Sequence, residues 1–324
     1  MKRLLCVFVS ALMLLVFAGC QGQLPQNSPT PDLPGSTPQT SPQSTPEDEE
    51  DPVLTPAPSL VLTVDEYPRV DGSTANLPLM AAVLSRLTGL PQEDAEALTS
   101  CTTTPYAYEA LINGVADLLL VYEPAEETKQ KIEESGVALE MIPIGRDALV
   151  FIVNEQNPIS GLTTEELQNI YTGKVSNWSE LGGEDAEIVA FQRVSASGSQ
   201  ALFLKLLMAG LTPMEAPTEL APAEMGELIE RLAEYNNAGN ALGYSVFYYA
   251  SYMYEKPGLK FLAVDGVTPT DETIADGSYP FLNDFYAVIR ADEPAGSPAR
   301  QIAEWLQTDE GKALIAEAGY VALP

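Results

Sequence analysis

The sequence predicts an α/β fold with a mainly parallel sheet from about Val61 onward. Two observations support this prediction. Short apolar runs such as "ADLLLVY" and "ALVFIVN" are typical of buried strands, because they are too short and too uniformly apolar for surface helices. Segments with apolar residues at helical spacing lie between these runs, and strands that alternate with helices favour a parallel sheet.

Each predicted element carries a local signal. The stretch "PRVDGSTANLPLMAAVLSRL" begins extended, turns at Asp71–Gly72 and continues as a helix that Ser73 or Thr74 is expected to cap. The stretch "TTTPYAYEALING" predicts a helix capped by Thr104, with Pro105 at the first helical position. A Thr/Glu capping box begins the helix "TTEELQNIYTG". Finally, "AEIVAFQR" predicts a strand that leads into the helix "SQALFLKLLMAGL".

Three segments with small hydroxyl residues stand at predicted helix starts: Gly72–Thr74, Thr102–Thr104 and Ser197–Ser199. Helix starts present unpaired N–H groups and the positive end of the helix dipole, so together they can bind an anion. Arg193 ends the strand before the third segment and can supply a planar clamp for an oxyanion. A single such segment would indicate only a helix cap, and a lone arginine only a surface ion pair. Three segments and one arginine together favour an anion site.

The composition argues against several functional classes. The chain has 46 acidic and 16 basic residues, a net charge of −30 and no histidine. This acidity argues against a nucleic-acid partner, which requires a basic patch. Without histidine, no Ser-His-Asp triad, Cys-His pair or histidine-ligated metal site can form. No residue spacing calls for carboxylate, tyrosine or lysine catalysis, so we expect no enzyme activity, no metal and no cofactor.

The first sixty residues are predicted to lie outside the fold. Lys2 and Arg3 precede an apolar run in "MKRLLCVFVSALMLLVFAGC", which is typical of a secretory signal peptide. Its ending "FAGC" resembles a bacterial lipobox, which implies removal of residues 1–19 and lipid attachment at Cys20. An ordinary secretory signal or an uncleaved anchor is the alternative. Residues 20–60 are rich in Pro, Ser and Thr and are predicted to form a disordered tether.

Five stretches in order resemble the phosphate-binding subfamily of ABC-transporter solute-binding proteins, over roughly residues 65–324. They are "DGSTANLPL", "RVSASGS", "IYTGKVSNWSELGG", "GNALGYSVFYYA" and "AGYVALP". The resemblance implies a two-lobed periplasmic-binding-protein-like fold of class II, with two α/β lobes joined by a two-strand hinge. Lobe I would comprise residues 61–148 with 245–324, and lobe II residues 149–244. The chain would cross between the lobes near Asp147–Phe151 and Gly243–Phe247.

The resemblance also implies the ligand-binding residues. Thr103 and Thr104 are the nearest match to the second loop of the subfamily, which often has a Ser-Gly pair there; the other positions match by motif. The implied set is Ser73, Thr74, Thr103, Thr104, Arg193, Ser197, Gly198 and Ser199.

One position departs from the subfamily. Some members place an aspartate just before the proline that follows the next strand, where it accepts the proton of phosphate. Here "VYEP" puts Tyr122 at that place, so Glu123 or Asp71 is the expected substitute proton acceptor. An ionised carboxylate would select phosphate, which carries a proton, against sulfate, which does not. If neither residue reaches the site, the discrimination of phosphate from sulfate and the identity of the oxyanion stay open.

The function implied is that of a lipid-anchored receptor on the extracytoplasmic face of the cell membrane. It would bind inorganic phosphate or a related oxyanion and deliver it to an ABC permease complex, with membrane lipid as a second partner through Cys20. The alternative is a surface sensor or adhesion module that retains the fold without phosphate transport. A phosphoester hydrolase would need a nucleophile with a base, or metal ligands, and the absence of histidine argues against it.

Overall fold

The computed structural model describes residues 59–195, 197–216, 222, 225–234 and 238–323. The predicted signal peptide, Cys20 and most of the tether lie outside these ranges. All of these described residues belong to one compact unit. The backbone N–H of Ser59 donates to Glu310 Oε2 at 2.9 Å, so contacts with the folded part begin two residues before the predicted boundary at Val61.

Strands and helices alternate along much of the described chain. The strands are β1 (Val70–Gly72), β2 (Leu118–Tyr122), β3 (Leu139–Asn154), β4 (Gly161–Leu162), β5 (Val189–Ala190), β6 (Ala241–Val246), β7 (Leu259–Phe261), β8 (Ala263–Val264), β9 (Leu282–Arg290) and β10 (Val321–Ala322). The α-helices are α1 (Leu77–Thr88), α2 (Gln92–Leu98), α3 (Thr104–Ile112), α4 (Glu126–Ser135), α5 (Thr164–Tyr171), α6 (Gly198–Leu202), α7 (Met225–Glu234), α8 (Asp271–Ala275), α9 (Pro298–Trp305) and α10 (Asp309–Glu317). Two π-helical segments cover Phe203–Met208 and Tyr249–Met253. Short 3₁₀ turns cover Thr74–Asn76, Trp178–Leu181 and Ala238–Asn240.

The main sheet is mixed, and the prediction of a mainly parallel sheet is wrong. Its strand order is β1-β2-β9-β3-β6-β5, with β7 and β10 also paired to β3. Only β1 with β2 and β5 with β6 pair in parallel within this sheet. The late strand β9 inserts between β2 and β3 and runs antiparallel to both. A local alternation of strands and helices cannot reveal such an insertion, because β9 lies more than 120 residues after β3 begins.

Helices pack against both faces of the sheet around β2. All five residues of β2 are buried. Leu118, Leu120 and Tyr122 face the larger hydrophobic core, whereas Leu119 and Val121 face a smaller core beside α3. This alternation follows the period of two along a strand. The α/β fold class is therefore confirmed.

The strand β3 connects two parts of the sheet. It pairs with β9 as far as Ala148 and with β6 from Leu149 onward. Leu149 lies opposite Val246, and Phe151 lies opposite Tyr244. The two segments in which the chain was expected to cross between lobes therefore lie side by side as an antiparallel pair. The lobe boundaries themselves stay a prediction.

The predicted helices are present, with small shifts at their ends. The capping box of α5 is confirmed: Thr163 accepts from the backbone of Glu166, and Glu166 accepts from the backbone of Thr163. The cap of α3 is Thr103 rather than Thr104. The strand expected over "AEIVAFQR" is shorter than expected, since β5 covers only Val189–Ala190.

Candidate functional site

The three predicted anion-binding segments meet at one cavity of about 220 Å³. All eight residues of the predicted site line it, although they come from positions up to 126 residues apart in the chain. The cavity is also lined by Tyr122, Tyr106, Pro105, Val194, Met225 and Val246. The structure therefore brings the predicted set together.

The first segment follows β1 and contributes Ser73 and Thr74. A Cβ built on Gly72 would lie 2.0 Å from the carbonyl oxygen of Leu120, so only glycine allows β1 to lie this close to β2. The backbone N–H of Ser73 then donates to the same carbonyl at 3.2 Å. The Ser73 hydroxyl donates to Asn76 Oδ1 and makes no helix-cap hydrogen bond, contrary to the expectation that it caps α1.

The second segment is held by Asp71. Its carboxylate accepts from the backbone N–H of Thr102 at 2.8 Å, from the Thr102 hydroxyl at 2.5 Å and from the backbone N–H of Gly72 at 2.7 Å. These bonds join the loop before α3 to the end of β1. Thr103 takes φ 75° and ψ 160°, a region of backbone space that is almost confined to glycine. The site therefore holds a strained threonine where the resembling family often has a Ser-Gly pair.

The third segment contains Arg193 and the start of α6. Arg193 is only 7% exposed, and its Nε donates to the carbonyl of Pro222 at 3.0 Å. Its Nη1 donates to Ser199 Oγ at 3.3 Å, and Ser199 Oγ lies 3.0 Å from Ser197 Oγ. Ser197 also caps α6 by accepting from the backbone N–H of Gln200 at 3.4 Å. A buried guanidinium is costly unless it is hydrogen-bonded, and these contacts fix its position.

The backbone around Arg193 is fixed by a buried polar group on β6. The backbone N–H of Arg193 donates to Tyr244 Oη at 3.0 Å and to Gln200 Oε1 at 2.9 Å, and Tyr244 also donates to Gln200. The ring of Tyr244 stacks on Phe203 with centroids 4.6 Å apart. The arginine is thus anchored to β6 and to the helix that begins at the third segment.

Neither predicted proton acceptor lines the cavity. The Asp71 carboxylate accepts hydrogen bonds from Gly72 and from Thr102 in the loop before α3. Glu123 Oε2 pairs with Lys205 Nζ at 2.5 Å, and its Oε1 accepts from Tyr286 at 3.3 Å. Burial raises the pKa of Glu123, but the hydrogen bond and charge of Lys205 outweigh burial and leave the pKa below its ordinary value. The geometry gives no support to either residue as a proton acceptor for a ligand.

Sequence reasoning missed the carboxylate connected to the cavity wall, which is Asp147. Tyr122 lines the cavity, and its hydroxyl donates to Asp147 Oδ2 at 2.7 Å. Asp147 is 2% exposed and lies on β3 where pairing passes from β9 to β6. The sequence signal for it is that Asp147 directly precedes the apolar run "ALVFIVN" of a predicted buried strand. A carboxylate buried in this way needs hydrogen-bond partners.

A larger cavity of about 430 Å³ lies beside β7 and the Tyr249–Met253 segment. It contains none of the predicted site residues. Its lining includes two lysines, Lys256 and Lys260, and apolar residues such as Ile152 and Phe247. Lys260 Nζ already donates to the carbonyl of Asn157 at 2.5 Å. The smaller cavity has the buried arginine and the helix starts, so it is the better candidate for an anion.

No three Cys, Asp or Glu side chains among residues 59–195, 197–216, 222, 225–234 and 238–323 are grouped to hold a metal ion. Across these same ranges, no helix has the length and apolar character required to cross a membrane.

The sequence matches a family model described as the PBP superfamily domain over residues 46–310. The phosphate-binding protein PstS of Borreliella burgdorferi is 26% identical over 261 residues, which cover 78% of this chain and 89% of that protein. The protein of the same name from Bacillus subtilis is 28% identical over 193 residues, which cover 58% of this chain and only 60% of the relative.

Solved structures with the same architecture include a Clostridium perfringens protein described as a phosphate ABC transporter substrate-binding protein with bound phosphate. It has a TM-score of 0.61 and 25% identity, and the match covers 80% of this chain and 100% of the other. An ABC-type phosphate transport receptor from Vibrio cholerae has a TM-score of 0.58 and 24% identity, with coverage of 79% and 99%. The similarity to the Vibrio cholerae receptor, at 24% identity, concerns the fold alone. Together they confirm the predicted two-lobed binding-protein fold.

These findings agree with the motifs that carried the resemblance. The family consists of solute-binding proteins rather than enzymes, as the sequence predicted. The chain therefore belongs to the PBP superfamily.

Proposed function

We propose that this protein is an extracytoplasmic solute-binding protein of an ABC importer. It binds inorganic phosphate, or a similar tetrahedral oxyanion, in the 220 Å³ cavity and delivers it to a membrane permease. A lipid on Cys20 anchors it to the membrane. The observation that carries the proposal is the convergence of three helix starts and one buried arginine on a single cavity.

The donors of the cavity suit an anion with several oxygens. First-turn N–H groups of a helix have no acceptor within their own helix, so those of α3 and of the helix beginning at Gly198 can donate to a ligand. Arg193 adds a planar pair of charged donors. The hydroxyls of Thr74, Thr103 and Thr104 make no hydrogen bond to the described part of the protein and line the same cavity. A tetrahedral oxyanion can accept from all of these directions at once.

Burial strengthens the case for a dehydrated ligand. Ser73, Thr104, Arg193, Ser197 and Ser199 are each no more than 9% exposed. Hydrogen bonds to a charged group gain strength where water is excluded. The net charge of −30 does not oppose binding, because exposed charges are screened over about 8 Å at physiological ionic strength. The donors at contact distance therefore dominate.

Two lobes that close on the ligand remain part of the proposal. The crossover pair of β3 and β6 joins residues 61–148 with 245–324 to residues 149–244. On this proposal Ser73, Thr74, Thr103 and Thr104 belong to lobe I, and Arg193 with Ser197–Ser199 belongs to lobe II. Closure would bring the two sets of donors onto one ion and present the closed form to a permease. The Glu123–Lys205 ion pair would link the lobes beside the cavity.

Calorimetric titration of the purified protein, freed of carried-over ligand, tests this proposal. Phosphate is expected to bind with micromolar or tighter affinity, and sulfate more weakly. Absence of heat and of thermal stabilisation with both ions would contradict the proposal. That result would favour a surface sensor or adhesion module that has kept the fold without its ligand.

A further inference from the structure

The cavity that contains Arg193 has a buried polar end and an exposed apolar end. Arg193, Thr104 and Ser199 line it and are all buried. Tyr106 and Val194 line the same cavity, but their side chains are 62% and 38% exposed. Residues that line a cavity and also face solvent lie where the cavity opens. The hydrogen-bond donors therefore lie behind a mouth formed by an aromatic ring and an aliphatic side chain.

The cavity is larger than one tetrahedral oxyanion requires. Its volume is about 220 Å³. An oxygen the size of a water molecule takes up about 30 Å³, so four such oxygens fill about half of the cavity. Pro105 and Met225, both partly exposed, add to its apolar lining. Burial of apolar ligand atoms against such side chains is favourable, so the remaining space suits carbon atoms better than further charge.

The described residues that line the cavity include no carboxylate. A carboxylate is the natural acceptor for the proton that inorganic phosphate carries, and neither Glu123 nor Asp71 supplies one here. In a phosphate monoester the fourth oxygen is bonded to carbon and has no proton, so it needs no such acceptor. The other three oxygens keep the negative charge. They can accept from Arg193 and from the N–H groups at the start of α3.

We propose that this cavity binds phosphate monoesters that carry a small apolar organic group. The phosphoryl group occupies the buried end, and the organic group lies against Tyr106 and Val194 at the mouth. This inference rests on the proposed function and widens the ligand class of the same site. Tyr106 is in the first turn of α3, whose N–H groups face the phosphoryl group, so an organic group on the fourth oxygen is within reach of its ring. An aromatic organic group can stack on that ring.

The experiment is competitive calorimetric titration of the purified protein with inorganic phosphate and phenyl phosphate. Mildly alkaline pH makes both ligands dianions, so they differ in the organic group rather than in charge. We expect phenyl phosphate to displace inorganic phosphate, with a dissociation constant that is lower or at most about tenfold higher. A dissociation constant more than about tenfold higher, or no displacement, would overturn the inference, because the mouth would then exclude the organic group.

Substitutions of Tyr106 test the contact at the mouth. Tyr106→Ala should raise the dissociation constant of phenyl phosphate relative to that of inorganic phosphate by about two- to tenfold, since it removes an aromatic contact. Tyr106→Phe keeps the ring and should retain the wild-type ratio. The matched control is Tyr252→Ala, at a tyrosine of similar exposure that does not line this cavity, and it should also retain the wild-type ratio. An unchanged ratio in Tyr106→Ala, or an equal shift in Tyr252→Ala, would overturn the inference.

The two ligands also distinguish the inference from the proposed function on which it rests. If neither inorganic phosphate nor phenyl phosphate binds the wild-type protein, the proposed function is refuted. If inorganic phosphate binds and phenyl phosphate does not displace it, the proposed function stands and the inference alone is overturned.

Discussion

Replacing Arg193 with alanine removes the only charged side chain among the described residues that line the cavity. The guanidinium is 7% exposed and is fixed by bonds to Pro222 and Ser199. A bidentate clamp makes two charge-assisted hydrogen bonds to an oxyanion, each contributing about 1.5–3 kcal/mol. Their loss amounts to roughly 3–6 kcal/mol, which weakens phosphate binding by about 10²- to 10⁴-fold.

Calorimetric titration of phosphate into Arg193→Ala measures this loss directly. The matched control is Arg146→Ala, which makes the same charge change at a half-buried arginine paired with Asp284 at 3.0 Å, outside the cavity. This control separates the loss of local contacts from the change in overall charge. Its phosphate affinity should stay within about threefold of wild type, because exposed charges interact weakly through solvent. Arg193→Lys restores the charge without the planar fork, so its phosphate affinity should lie between those of the wild type and Arg193→Ala. An Arg193→Ala affinity within about threefold of wild type would refute the assignment of Arg193.

Two further predictions concern stability. The folded pKa of Asp147 is about 6, above its ordinary value of 3.8, so the folded state holds this proton more tightly than the unfolded state. The free energy of unfolding of the wild-type protein, relative to Asp147→Asn, should therefore fall by about 3 kcal/mol as pH rises from about 4 to about 6 and stay level above. Denaturant titrations over this window measure the difference, because Tyr122, Tyr248 and Tyr320 stay protonated throughout it. A difference that does not change with pH would contradict the prediction. Thr103→Gly should raise the free energy of unfolding by about 1 kcal/mol, because relief of the strain at φ 75° exceeds the entropic cost of glycine; a destabilised variant in the same assay would show that Thr103 is not strained.

Local signals predicted much of the site from the sequence. Helix starts are set by neighbouring residues, so the hydroxyl segments at Ser73, Thr103 and Ser197 could be found without knowing the fold. Their meeting at one cavity depends on the order of the strands in the sheet. The alternation of strands and helices predicted the α/β class but not the insertion of β9 between β2 and β3. The three segments together with Arg193 favoured an anion site, and the family resemblance agreed with that expectation.

Glu123 and Asp71, the expected proton acceptors, do not line the cavity, and for Glu123 the structure gives a physical reason. The side chains of β2 alternate between its two faces, and Glu123 follows the strand end toward Lys205, whereas Tyr122 shares the face of Leu118 and Leu120. The carboxylate that Tyr122 contacts is 25 residues further along the chain, on the long strand β3. Such a contact depends on β9 lying between β2 and β3, and no local pattern indicates that insertion.

The most direct test of the central claim is a crystal structure of the protein grown with phosphate. The account predicts one phosphate in the 220 Å³ cavity, within hydrogen-bond distance of the Arg193 guanidinium and of the helix starts at Thr104 and Gly198. Phosphate bound elsewhere, for example beside Lys256 and Lys260 in the larger cavity, with water alone next to Arg193, would contradict it.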